Sequence, residues 1–304
     1  METTRRIRGQ QRRRRGKSGA LLFLIIVFLG VGLVAYLYTS PAQDAGLSQE
    51  LPPTMQSPGN TPIIALTQAN ANAINNTGYL ALVNRQHGIS TELDSGLLVS
   101  AWPTVPVSAI EGMYLHPTAL QAIADMMNTA RGADVGTFFV SSGFRGETAQ
   151  AILYDNGANR AFALPPGHSE HHTGLAVDIM IVGISQAEMG SSAGGRWLAD
   201  NSYRYGLILR YPQGATHITG IEFEPWHFRY VGRPHAYYMR QNNLVFEEYI
   251  ELIQSLGGIS FEFNGRTYHV MHQMPQNGMI YLPFDLAFTV SSDNIGGYIV
   301  TAWE

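Results

Sequence analysis

The segment Pro166-Gly167-His168-Ser169-Glu170-His171-His172-Thr173-Gly174-Leu175-Ala176-Val177-Asp178 holds three histidines and two carboxylates, and its end enters an apolar stretch, Leu175 to Val182. A second dense patch lies downstream, Glu222-Phe223-Glu224-Pro225-Trp226-His227-Phe228-Arg229. Imidazole nitrogen and carboxylate oxygen are zinc ligands. Hydrolytic zinc sites use three of them, leave one position open to water, and keep a base nearby. A single histidine reads as a hydrogen-bonded or surface residue, but Asp178 sits inside an apolar strand. A carboxylate there is costly unless it is paired or bound to metal. The spacing Ser-x-His-x-x-Gly-x-x-x-Asp therefore points to His171 in the turn before the strand and Asp178 on it, with His227 arriving from a neighbouring strand end.

Other polar groups have two readings each. Glu224, three residues before His227, is placed to move protons at such a site, or it is a surface carboxylate or a partner of Arg229. Glu222 competes with it, because both point to one face of an extended segment. Arg145, exposed by the turn Ser142-Gly143-Phe144-Arg145, is a forked permanent cation suited to a carboxylate or a developing oxyanion, or it is a solvated loop arginine. Gln150 and Ser169 offer neutral hydrogen bonds to a substrate, although Ser169 equally closes its own turn. His168 and His172 do not fit the ligand spacing and read as supporting or surface groups. Trp226 packs the turn or walls a pocket.

The elements that must position these groups can be read from periodicity. His116 to Arg131 is an amphipathic helix through Leu120, Ile123, Ala124 and Met127. Thr137 to Ser141 is a buried strand, and a helix starting near Glu147 carries Gln150. Leu175 to Val182 is a strand, Ser192 to Tyr205 a helix, and Gly206 to Leu209 a short strand. Pro234 to Glu251 is helical and broken near Asn242-Asn243. Tyr79 to Asn84 reads as a short strand in an N-terminal wrap. After Gly257-Gly258 come β-prone segments: Ile259 to Phe263, an Asn264-Gly265 hairpin signal, Thr267 to Met271, Met279 to Leu282 and Tyr298 to Trp303.

Charge is segregated along the 304 residues. Eight of the nineteen basic residues fall in the first seventeen positions, and the remainder carries eleven basic against twenty-two acidic residues, a formal −11. An acidic body argues against nucleic acid. There is no cysteine, so thiolate chemistry and disulfides are excluded. Ala20 to Tyr38 has no charge. At ~1.5 Å per residue it nearly spans a ~30 Å hydrocarbon core, and the basic residues before it keep the N-terminus cytoplasmic. It is longer than the apolar region of a cleaved signal peptide. The expected order is a basic cytoplasmic tail (1–19), a transmembrane helix (20–39), an extracytoplasmic stalk rich in Pro, Ser, Gln and Gly (40–75), a catalytic domain (76–256) and a small β appendage (257–304).

Taken together, Ser142-Gly143-Phe144-Arg145 with Gln150, the segment Pro166 to Asp178, and Glu224-Pro225-Trp226-His227-Phe228-Arg229-Tyr230-Val231-Gly232 resemble the VanY-type D-alanyl-D-alanine carboxypeptidases over roughly residues 76–253. These are zinc peptidases of bacterial cell-wall peptides that share a fold with lysostaphin-type peptidases and the hedgehog signalling domain. The resemblance implies an α+β fold, in which a small antiparallel sheet bears the zinc site between flanking helices. The transmembrane helix and the β appendage lie outside it. It further implies one Zn2+ held by His171, Asp178 and His227, with Glu224 rather than Glu222 as base. Arg145 would aid the scissile carbonyl, and Gln150 and Ser169 would line the substrate site. The function expected is a single-pass membrane enzyme, catalytic domain outside, that removes the terminal D-Ala from peptidoglycan stem peptides. An L,D-carboxypeptidase or a D-Ala-D-Ala dipeptidase would use the same zinc chemistry. A non-catalytic wall-binding scaffold is the alternative of another class.

Overall fold

The computed structural model describes residues 63–65, 78–89, 93, 95–109, 112–157, 160–283 and 285–304. Short strands β1 (Ile63–Ala65), β2 (Val99–Ser100) and β3 (Tyr114–Leu115) precede helix α1 (Pro117–Gly132). Then follow β4 (Phe138–Ser142), α2 (Glu147–Asp155), β5 (Ala176–Ile181), α3 (Gln186–Met189), α4 (Ala193–Asn201), β6 (Leu207–Leu209), α5 (Thr216–Thr219), β7 (His227–Tyr230), α6 (Arg233–Asn242) and α7 (Phe246–Leu256). Strands β8 (Gly258–Phe263), β9 (Arg266–Gln273), β10 (Met279–Tyr281), β11 (Ala287–Ser292) and β12 (Tyr298–Trp303) complete the chain. This is the α+β arrangement expected. Among the described residues no helix is long and apolar enough to cross a membrane, and the expected span, 20–39, lies outside them.

One antiparallel sheet has the order β4-β5-β7-β6. Alternation along a strand sends successive side chains to opposite faces. On β5, Val177, Ile179 and Ile181 join the main core, and on β7 Phe228 and Tyr230 do so. Asp178, His227 and Arg229 consequently stand on the other face. Helix α1 closes the core side with Leu120, Ile123, Ala124 and Met127, as its periodicity predicts. It begins where Pro117 occupies the first turn and the His116 ring accepts from the Thr118 amide at 3.2 Å.

The second antiparallel sheet runs β11-β12-β9-β8. Its β8–β9 hairpin turns at Asn264 (φ 51°) and Gly265 (φ 71°), both in the left-handed region that such a two-residue turn demands. The sheet is not set apart from the rest. Ile259, Val270 and Ile299 share a hydrophobic cluster with Tyr238, Phe246, Tyr249 and Ile250 of α6 and α7.

Two elements differ from expectation. Tyr79 to Asn84 is not a strand. Its backbone is met by side chains instead: Arg229 donates to the carbonyls of Tyr79 and Ala81, and the Leu80 amide donates to the Ser291 hydroxyl. Strand β11, paired along its length with β12, was not anticipated, because its outward half is exposed and burial does not alternate along it. Within the segment expected as stalk, β1 pairs with β10, Ile63 opposite Tyr281.

Candidate active site

Strand register builds the site. Asp178 lies opposite Ser142 on one side and opposite His227 on the other, so two candidate ligands are neighbours across one ladder. His171 comes from the 3-10 turn Glu170–Thr173, which Gly174 ends in the left-handed conformation (φ 66°). That turn is tied down twice: the Arg145 amide donates to the His171 carbonyl at 3.1 Å, and the His171 ring Nδ1 meets the Gly143 carbonyl at 2.6 Å. Gly143 packs against β3 so closely that a Cβ there would stand 2.6 Å from the Tyr114 carbonyl oxygen.

The carbonyl contact commits Nδ1 of His171 and turns Nε2 inward, 3.5 Å from Asp178 Oδ2. On the other side His227 Nδ1 lies 3.0 Å from Asp178 Oδ1. The two imidazoles stand edge to face, 5.0 Å apart. One ligand atom from each of His171, Asp178 and His227 falls within 4.8 Å of the others. Asp178 Oδ1 is buried without a hydrogen bond. Lone pairs converging in a buried place, one of them orphaned, fit a divalent ion, and the two-nitrogen, one-carboxylate set suits zinc. Burial pushes the Asp178 carboxyl up, but His171 and His227 outweigh it and hold the group well below the usual carboxylate range.

Glu224 borders the same point. Its Oε2 lies 3.6 Å from His227 Nδ1, and its amide donates to the Tyr211 carbonyl. Burial, with the charges of Asp178 and Glu170 reinforcing it against His227 and Arg145, raises its carboxyl to about 8. Such a group can both take and return a proton near neutral pH. Glu222 is exposed, near Thr216, and does not line the cleft. The geometry thus separates two residues that periodicity could not.

Arg145 enters the cleft as a clamped group. Its Nη1 donates to Gln150 Oε1 at 2.8 Å and its Nη2 to the Ser142 hydroxyl at 2.9 Å. Gln150, almost fully buried, is itself held by the Leu164 carbonyl at 2.6 Å. Ser169 lines the cleft while its hydroxyl accepts from the His171 amide at 3.4 Å. The cleft has a volume of about 570 Å³, and Phe162 and Trp226 form an apolar wall beside the polar groups, within the usual range for small-ligand sites. His172 is buried beneath the site and contacts the Arg145 carbonyl at 2.5 Å. His168 meets the Asn84 carbonyl at 2.9 Å. Both support the loop and neither faces the ligand point.

Beneath His227 lies a charged layer that the motifs do not announce. Glu170, Arg210 and Arg229 are fully buried, and Arg229 pairs with Glu170 at 3.2 Å rather than with Glu224. Arg210 follows the apolar run Leu207–Leu209 and Arg229 stands among the buried residues of β7, but only the fold brings the two to Glu170.

The family profile described as VanY, D-alanyl-D-alanine carboxypeptidase, matches residues 112–233. A D-alanyl-D-alanine carboxypeptidase of Enterococcus faecium is 39% identical over 192 residues, 63% of this chain and 62% of that protein, so the match spans less than two thirds of that relative. The bifunctional D-Ala-D-Ala dipeptidase and D-Ala-D-Ala carboxypeptidase VanXYC of Enterococcus gallinarum is 34% identical over 185 residues, 56% of this chain and 92% of that protein. Among solved structures, the vancomycin resistance D,D-dipeptidase VanXYg in complex with a D-Ala-D-Ala phosphinate analogue superposes with a TM-score of 0.68 at 25% identity, covering 81% of this chain and 100% of that one. With this profile match, and with 92% of a relative at 34% identity covered, the chain belongs to the VanY family of D-alanyl-D-alanine carboxypeptidases.

Proposed function

We propose that this chain is a zinc D,D-carboxypeptidase that removes the terminal D-Ala from peptidoglycan stem peptides. The observation that carries the reading is the convergence of His171, Asp178 and His227 in one cleft, with Glu224 at 3.6 Å and the clamped Arg145 beside them. When bound, the ion supplies Lewis acidity toward water and the peptide carbonyl. Glu224 takes a proton from the attacking water as its oxygen bonds to the carbonyl carbon. The C–N bond then breaks, and Glu224 returns that proton to the departing D-Ala amine. Arg145 meets the negative charge on the former carbonyl oxygen or on the substrate carboxylate. Gln150 and Ser142 spend their oxygens on the Arg145 guanidinium, so Gln150 acts by aiming Arg145. Ser169 lines the same cleft and holds the His171 turn.

The uncharged run Ala20 to Tyr38 behind a basic tail supports a single-pass anchor with the cleft outside the cell. Such a tether confines the enzyme to wall near the membrane, where precursor peptides emerge. Protease treatment of intact cells expressing the full chain checks this: the domain should be digested and the basic tail protected.

D,D-dipeptidase activity is a second reading, favoured by the similarity to VanXYg and VanXYC. The full chain should be incubated with stem pentapeptide, tetrapeptide and free D-Ala-D-Ala, and the products weighed. Loss of one alanine from pentapeptide supports the first reading, and cleavage of the free dipeptide supports the second. Tetrapeptide trimming alone would make it an L,D-carboxypeptidase. No cleavage of any of them, with zinc bound, sinks the enzymatic assignment and leaves a wall-binding scaffold.

A further inference from the structure

Glu247 opens the first turn of α7, beyond residues 112–233 that match the family profile. Its carboxylate takes both terminal nitrogens of Arg210, Nη1 at 2.8 Å and Nη2 at 2.6 Å. The third nitrogen of that guanidinium, Nε, donates to Glu170 Oε1 at 2.8 Å. Arg229 Nη1 lies 3.2 Å from the same Oε1. One oxygen of Glu170 thus accepts a hydrogen bond from Arg210 and has an ion-pair contact with Arg229. The other, Oε2, has no hydrogen bond and faces His227 Nε2 at 3.6 Å, which is also buried without a hydrogen-bond partner. The Phe246 ring lies under both guanidinium groups, 5.4 Å from Arg210 and 5.5 Å from Arg229. Asn84 Nδ2 donates to Glu247 Oε1 at 3.2 Å.

A neutral imidazole has one N–H and one lone pair, and the partner of one nitrogen decides what the other offers. The planar fork of Arg210 is rigid, so anchoring one edge on Glu247 fixes how the other edge presents Glu170. We propose that Glu247, acting through Arg210 and Glu170, is a positioning residue for the metal centre. It keeps the His227 proton on Nε2 and the lone pair on Nδ1, the nitrogen that faces Asp178. The helix that carries the C-terminal sheet is then a working part of the site. This rests on the reading of His227 as a zinc ligand.

The test is zinc affinity, measured by chelator competition on the metal-stripped full chain. Glu247→Gln should bind zinc roughly 10- to 100-fold more weakly than the wild type, the range found when outer partners of ligating histidines are changed. Glu248→Ala is the control. It breaks the contact of Glu248 with the Val245 amide (3.0 Å), at the start of the same helix, and should bind zinc as the wild type does. The ring nitrogens of His227, followed by 15N NMR in the zinc-loaded protein, should report Nδ1 coordination in the wild type and mixed tautomers in Glu247→Gln. Unchanged affinity in Glu247→Gln, or equal losses in both variants, overturns the proposal. If Glu247→Gln does not fold, Arg210→Met combined with Glu247→Leu removes both charges together, a replacement that buried ion pairs commonly tolerate. It should show the same weakening, and wild-type affinity there overturns the proposal equally. A wild-type chain that takes no zinc sinks the peptidase reading itself.

Discussion

On the sheet β4-β5-β7-β6 the face away from the main core carries Asp178, His227 and Arg229 among smaller or apolar neighbours such as Ala176 and Ile208, and each of the three is engaged by a specific partner. On the sheet β11-β12-β9-β8 the inward positions are chiefly apolar, Ile259, Val270 and Ile299 packed on α6 and α7, with aromatic pairs such as Phe261 and Tyr268 at 5.9 Å beside them. Both sheets have four antiparallel strands. One fixes charges and lone pairs in space, the other supplies buried area. Polar constellations fail when one atom is misplaced, whereas apolar interiors fail when volume is lost. Substitutions in the first should show in chemistry, and in the second in stability.

The largest effect should come from Glu224→Gln. D-Ala release should fall by about two to four orders of magnitude, the usual weight of a general acid–base. Zinc content should stay at the wild-type level and the melting temperature should not drop, since a buried carboxylate is replaced by a neutral isostere. Activity that persists shows Glu224 is not the base. Asp178→Ala should break the contrast from the other direction. Zinc occupancy and thermal stability should fall together, by up to about 4 kcal/mol when the ion is at a thousandfold excess over its Kd. Metal analysis beside a melting curve checks it, and unchanged zinc stoichiometry removes Asp178 from the ligand set.

On the apolar side, Ile253→Ala in α7 should cost about 2–5 kcal/mol, read from urea midpoints, with per-molecule turnover of the folded fraction unchanged. His235 sharpens the contrast through pH. It is buried between Tyr249 (Nδ1 to Oη, 2.7 Å) and Thr301 (3.3 Å), and burial lowers its pKa to about 3. Between about 3 and 6.5 the unfolded chain holds a proton that the folded chain refuses. This contribution is complete above pH 6.5 and is lost as pH falls toward 3, at no more than about 1.4 kcal/mol per unit. Comparing urea midpoints at pH 7 and 4.5, His235→Asn should lose less stability than the wild type. The smallest effect should be Arg240→Ala. Its exposed 3.0 Å pair with Asp200 should be worth no more than about 1 kcal/mol in the same assay.

Legibility followed the same division. His171, Asp178 and His227 could be found because zinc chemistry admits few residue types and their motifs are compact. The helices α1, α6 and α7 could be found because their apolar faces repeat, and Asn243 marks the break with a left-handed backbone. The layer of Glu170, Arg210 and Glu247 escaped because its members come from three separate elements and only the fold joins them. Tyr79 to Asn84 reads as a strand from its apolar run, and Leu80 to Val83 are indeed buried, but no neighbouring strand pairs with it and side chains meet its carbonyls instead. Strand β11 escaped for the opposite reason: a pairing partner is present, but the alternation is short, Phe288 to Ser291, and burial does not follow it.

The direct opposition of Asp178 and His227 across β5 and β7 has a consequence for how the chain matures. Sliding either strand by a single position would turn one of these two side chains into the apolar interior. A bound ion is in that sense a gauge of alignment. During refolding, zinc uptake should lag collapse and coincide with the last correction of strand pairing, and misaligned chains should be recognisable by their empty centres.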